Sequence, residues 1–231
     1  MKNYLVIGGS SGIGLSIVKL LQGRNEAVIA TYNENKPEEM DPEIVFHHYD
    51  VFDSGAAIDF IPDELHGLVY CPGSINLKPF GRISQEDFIQ DYQLQVVGAV
   101  KIIQSAIPAL KKSGHGSIVL FSTVAVQVGL PFHSLVSASK GAIEGLVRSL
   151  SAELAPTIRV NCIAPSLIDT PLSSTLLNTE QKREANAQRH PLKRIGNTDD
   201  IAEMAGFILS EKSGWITGQV FHVDGGMSAI K

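Results

Sequence analysis

Residues 4–15 read Tyr-Leu-Val-Ile-Gly-Gly-Ser-Ser-Gly-Ile-Gly-Leu: apolar, strand-forming residues run straight into a glycine cluster and then into the helical period of Gly12–Gly23. Gly8 permits a tight turn, Gly12 lets the backbone come close to a ligand, and Gly14 lets the helix pack on the sheet. The first N–H groups of a helix have no partner inside it, so they favour an anion. A glycine cluster alone is weak evidence. Placed between a first strand and a first helix, it leaves an ordinary turn only a small share. Gly8, Ser10, Ser11, Gly12, Ile13 and Gly14 are therefore expected to hold the pyrophosphate of a dinucleotide.

Beyond this turn, strand-like runs alternate with helical periods. Asn3–Ile7, Ala27–Thr31, Ile44–Tyr49, Gly67–Cys71, Ser117–Ser122, Thr157–Ile163 and Gln219–Val223 read as strands. They are rich in Val, Ile and Leu rather than alternating, as strands covered on both faces are. The pattern predicts an α/β Rossmann fold: one domain over residues 1–231, with a seven-stranded parallel sheet and helices on both faces. Asn33–Pro42 and Ser54–Asp63 leave room only for stunted helices. Ser84-Gln-Glu-Asp87 is a capping box opening a long helix, with Phe88, Tyr92, Gln95, Val96, Ala99, Ile103 and Ile107 along one side. Ser134–Leu154 is a second long helix, and Thr198-Asp-Asp200 caps a third through Leu209. Residues 166–191 form the one long connection without a strand, read either as a substrate lid or as a solvated insertion.

The 231 residues are 44% hydrophobic and 19% charged, with a net charge of −5, which excludes a disordered chain. No basic stretch exceeds pairs such as Lys111-Lys112, so nucleic acid is not an expected partner. No apolar stretch reads as a membrane span, no signal peptide is evident, and no metal site is expected; the cytoplasm is the expected location. Cys71 and Cys162 read as small buried hydrophobes.

Gly8-x3-Gly12-Ile-Gly14, Asp50-Val51, Ser137-Ala-Ser-Lys140-Gly-Ala, Ile158-Arg-Val-Asn161 and Val223-Asp-Gly-Gly226 resemble, in order and along nearly the whole chain, the classical short-chain dehydrogenases/reductases. Among these the chain is most similar to the 3-oxoacyl-carrier-protein reductase-like branch. The resemblance implies that Asp50 holds the adenine amino group and Val51 supports the ring. It implies that Cys71-Pro72-Gly73 passes beneath the adenosine ribose, and that Pro165, Ile168 and Thr170 contact the nicotinamide and its phosphate, although Ser166 stands where glycine is usual. It also implies a homo-oligomer, a dimer or tetramer, packed through the two long helices, where Val97 and Val100 widen the apolar surface. The second strand ends Thr31-Tyr32-Asn33-Glu34, without an aspartate for a ribose hydroxyl. That tilts the cofactor toward NADP, with Thr31, Asn33 and Ser10 as donors to a 2′-phosphate; Glu34 would serve NAD if the register slips.

In the family a tyrosine one helical turn before the lysine gives the proton to the carbonyl oxygen. Here Lys140 is present, but the tyrosine position is Val136. The substrate-binding serine position, thirteen residues before Val136, is Thr123, with Ser122 beside it, and the relay asparagine is Gln95. Each has a plainer reading: Lys140 bonding only ribose hydroxyls, Thr123 a structural hydroxyl, Gln95 satisfying backbone groups. His133, seven positions before Lys140, is a surrogate acid or a solvated loop histidine. Two functions remain open: an NAD(P)-dependent oxidoreductase on a small carbonyl/alcohol pair with an altered proton route, and a retired dinucleotide-binding sensor, scaffold or complex subunit.

Overall fold

The computed structural model describes every residue except 38–41, 43 and 231. Among the described residues seven strands, β1 (Asn3–Ile7), β2 (Ala27–Tyr32), β3 (Val45–His48), β4 (Gly67–Tyr70), β5 (Gly116–Phe121), β6 (Ile158–Pro165) and β7 (Val220–Val223), form one sheet. Their order is β3-β2-β1-β4-β5-β6-β7, and every pairing is parallel. The expected Rossmann α/β architecture is therefore present. The order reverses between β1 and β4, which opens a crevice at the C-terminal ends of those strands, where such sheets bind ligands.

Helices cover both faces. On one, α1 (Gly12–Gln22) and α6 (Thr198–Leu209) bury Ile17, Val18, Leu21, Ile201 and Ala205 against Val6, Val28 and Val69. On the other, α3 (Gly98–Lys112) and α4 (Ser134–Leu154) bury Ile102, Ile103, Ile143 and Val147 against Leu5, Leu68 and Ile118. Side chains buried from both directions explain why the strands read as unbroken apolar runs.

Three expectations are corrected. Residues 54–63 contain no helix; of the stretch 33–42, residues 38–41 lie outside the description, and the helix expected there with them. Phe60 instead packs edge-on to Tyr49 and beside His47, covering that part of the sheet with an aromatic rather than a helix. The cap of α6 is Asn197, not Thr198: its Oδ1 accepts from Asp200 N at 2.8 Å while Asp200 Oδ2 accepts from Asn197 N at 2.8 Å.

The long helix from Ser84 is not continuous. The Ser84–Asp87 capping box opens α2 (Gln85–Tyr92), but a π-helical turn at Gln93–Val97 separates α2 from α3. The cause is Tyr70 on β4, whose hydroxyl donates to the Leu94 carbonyl at 2.6 Å and draws it out of the helical ladder. A Cβ on Gly98 would collide with that hydroxyl and with Val51, so this close approach requires glycine. Counted as one run, Gln85–Lys112 has the length and hydropathy of a membrane span, but half of the window is buried against the sheet.

Candidate functional site

The turn after β1 is shaped for an anion. Gly8 N donates to Thr31 Oγ1 at 3.0 Å and Gly9 N to the Thr31 carbonyl at 2.9 Å, which latches the turn to β2. A Cβ on Gly14 would collide with the Gly8 carbonyl oxygen, and Gly12 sits at φ +51 with the Thr170 side chain 3.4 Å from where its Cβ would be. The N-cap Ser11 makes no side-chain cap bond, and the first turn of α1 holds no acidic residue. Its N–H groups are thus left for a ligand, and glycine at position 14 lets the helix begin this close to the turn. The residues present fit a dinucleotide.

Cys71, Pro72 and Thr170 flank this turn, and the other expected cofactor residues lie on neighbouring elements. Cys71 N donates to the Ile7 carbonyl at 3.0 Å, which extends β4 beside the turn, and Pro72 lies against Gly8. Asp50 Oδ1 accepts from Phe52 N at 2.9 Å, and Val51 is buried in the core. Pro165 ends β6, the buried Ile168 bridges to Gly196, and Thr170 caps the turn Pro171–Leu176 through Ser173. Asn33 is exposed just beyond β2, Ser10 is half-buried, and Thr31 is fully buried.

Segment 166–191 is structured: it holds the turn Pro171–Leu176 and α5 (Glu180–Gln188), with a two-point ion pair between Arg183 and Asp169 at 2.7 and 3.2 Å. Beneath it lies a cavity of about 180 Å³, whose polar lining includes Ser74, Thr123, His133, Ser166, Arg189 and His190, with Val136 among the apolar residues. Thr123 and Val136 are thus brought together as expected. Ser122 is not part of that lining, since its hydroxyl donates to Glu144 Oε1 at 2.8 Å. His133 faces the cavity rather than only solvent, with Nδ1 2.7 Å from the Pro131 carbonyl.

Behind this wall sits a polar cluster. Desolvation pushes the Lys140 ammonium down to about 8, opposed by Cys162 and Asp91. Burial pushes the Cys71 and Cys162 thiols up to about 12, so neither is a ready thiolate. Gln95 neither bonds backbone groups nor stands free. Its Nε2 donates to Asp91 at 2.8 Å to both carboxylate oxygens, and its Oε1 is buried without a partner among the described residues. Ser74 Oγ donates to Asp91 Oδ1 at 2.5 Å.

The sequence reading missed Asp91, Ser74 and His190. Asp91 had a signal, a carboxylate four residues before Gln95 on the same helical face. His190 had none: its Nε2 lies 2.8 Å from Ser166 Oγ and its Nδ1 2.9 Å from the Asn186 carbonyl, contacts made only by the folded segment.

Residues 8–228 match the family model described as Enoyl-(Acyl carrier protein) reductase. A tropinone reductase homologue of Arabidopsis thaliana is 33% identical over 242 residues, covering 98% of this chain and 92% of its own. An uncharacterised oxidoreductase, YmfI, of Bacillus subtilis strain 168 is 30% identical, covering 97% of this chain and 98% of its own. The ligand-free aldohexose dehydrogenase of Thermoplasma acidophilum superposes with a TM-score of 0.92 at 27% identity, covering 100% of this chain and 95% of its own. An ElxO variant solved with NADPH bound superposes with a TM-score of 0.86 at 25% identity, covering 98% of each chain.

Proposed function

The chain belongs to the short-chain dehydrogenase/reductase family, and on that premise we propose that it is an oxidoreductase, NADP-preferring, acting on a small carbonyl/alcohol pair without the family's tyrosine. The observation that carries this reading is the cavity in which Thr123 and Val136 face the same space beneath segment 166–191, a segment whose Thr170 lies beside Gly12 of the glycine turn. Gly8, Ser10, Ser11, Gly12, Ile13 and Gly14 would hold the pyrophosphate, Asp50 and Val51 the adenine, Cys71, Pro72 and Gly73 the ribose edge, and Pro165, Ile168 and Thr170 the nicotinamide end. A bound nicotinamide supplies or accepts the hydride. Thr123 orients the substrate oxygen, Lys140 bonds ribose hydroxyls, and segment 166–191 excludes water as a lid.

NADP over NAD is supported by the end of β2: Tyr32 closes the strand and an exposed Asn33 follows, with no carboxylate at the strand terminus. The names of a ketone reductase and a sugar dehydrogenase among the relatives support a carbonyl or hydroxyl compound as substrate. The whole chain is read as one domain. A homo-oligomer packed through α2, α3 and α4 is supported by the exposed Ile89, Tyr92 and Val97 on the first of these helical runs. Two unpaired cysteines support a reducing compartment, the cytoplasm.

Val136 also favours a second reading, a dinucleotide-binding domain without turnover. Oxidation of NADPH and NADH against a panel of 3-oxoacyl thioesters, quinones and small ketones separates the two. Turnover above background supports the enzyme; tight nucleotide binding with no oxidation across the panel leaves the sensor or scaffold.

A further inference from the structure

A carboxylate buried behind the cavity needs a reason. Asp91 is 6% exposed and Gln95 1% exposed, and burying a charge costs several kcal/mol unless it is paired and hydrogen-bonded. Asp91 meets that condition through the Gln95 amide and the Ser74 hydroxyl. The Asp91 carboxylate in turn favours the Lys140 ammonium on α4. The Lys140 Nζ and the unpartnered Gln95 Oε1 lie 3.8 and 3.7 Å from the point where a Cβ on Gly73 would sit. Gly73 therefore leaves open the space in which these two groups approach.

Ser74 is the member of this cluster that lines the cavity with Thr123 and Val136. Its single proton points to Asp91, so its lone pairs are available to accept a hydrogen bond from a substrate hydroxyl. A serine alone is a poor acid or base; a serine bonded to a carboxylate passes a proton on.

We propose that Ser74 and Asp91 carry the substrate's proton in place of the missing phenol. The proposal rests on the oxidoreductase reading above. In the direction of alcohol oxidation, the substrate O–H bond breaks and its proton goes to Ser74 Oγ, while the Ser74 proton moves to Asp91 Oδ1. The carbinol hydrogen leaves with its electron pair to the oxidised dinucleotide, and the C–O bond becomes C=O. The substrate loses two electrons, the dinucleotide gains them, and one proton remains on Asp91. Reduction runs the same transfers backwards.

The test uses the full chain with Ser74→Ala, Asp91→Asn, the double variant and His190→Gln. Folding is checked by circular dichroism and NADPH affinity by fluorescence titration. Ser74→Ala and Asp91→Asn are each expected to lose about 100-fold in kcat at unchanged nucleotide affinity, and the double variant to be no slower than Asp91→Asn, as for residues acting as one unit. Independently of turnover, isotope-edited infrared spectra should show the Asp91 carboxylate band, identified by its loss in Asp91→Asn, shifting in Ser74→Ala. The route is overturned if wild type turns over and the single variants stay within threefold of it, if their losses multiply, if the band does not move, or if only His190→Gln abolishes activity. A wild type that binds no dinucleotide or passes no hydride refutes the oxidoreductase reading, and this route with it.

Discussion

Replacing Val136 with tyrosine should raise carbonyl reductase activity at least tenfold. Val136 lies on α4 one helical turn before Lys140 and faces a cavity of about 180 Å³, so a phenol there enters existing space and stands on the lysine's side of the helix. A positioned general acid contributes about 10²–10⁴ in rate. The full factor is not expected, because Ser74 and Asp91 already move the proton in wild type; the gain is what a phenol adds to that route. The assay is kcat/KM for ketone reduction by NADPH, with nucleotide affinity measured in parallel. In the tyrosine background, Asp91→Asn should also cost less than it does in wild type. An unchanged rate at intact nucleotide affinity would refute the reasoning, since it would mean that the cavity no longer presents the carbonyl to position 136.

Gly14→Ala should lower thermal stability and weaken NADPH binding by more than tenfold, because its Cβ collides with the Gly8 carbonyl of the phosphate turn; calorimetry giving wild-type affinity would contradict this. Asn197→Ala should cost about 1 kcal/mol in urea denaturation, since it removes a reciprocal cap of α6. Burial lowers the Lys140 ammonium from 10.5 to about 8, so between those values only the unfolded chain keeps the proton and stability rises with pH. Lys140→Met removes that dependence, and its stability advantage over wild type should shrink by on the order of 2 kcal/mol between about pH 7 and about pH 10; a constant gap would contradict it. Light scattering should report a dimer or tetramer that dissociates in Ile89→Asp, a residue 61% exposed on α2; a wild-type monomer at micromolar concentration would remove the oligomer.

The sheet was legible because its central strands are buried on both faces and so carry unbroken apolar runs, as in Tyr4–Ile7 and Ile118–Phe121. Strand ends moved by a residue or two, with β6 reaching Pro165 because β7 pairs along it. The break in the long helix was not legible: it depends on a hydroxyl from Tyr70, which is distant in sequence from Leu94. Within the site, the glycine turn is local chemistry and reads directly. The Ser74–Asp91–Gln95 cluster and the Ser166–His190 pair join residues from separate elements, so only the folded chain brings them together. Gln95 shows the limit best: its helical face and the carboxylate four residues before it were readable, but not the Ser74 hydroxyl that joins that carboxylate from a separate element.

Whether the turn between β1 and α1 holds a pyridine dinucleotide is decided by calorimetric titration of the purified chain with NADPH and NADH. Saturable binding in the micromolar range is predicted, tighter for NADPH, and lost when Gly12 is replaced by valine. No heat from either nucleotide up to millimolar concentration would contradict it.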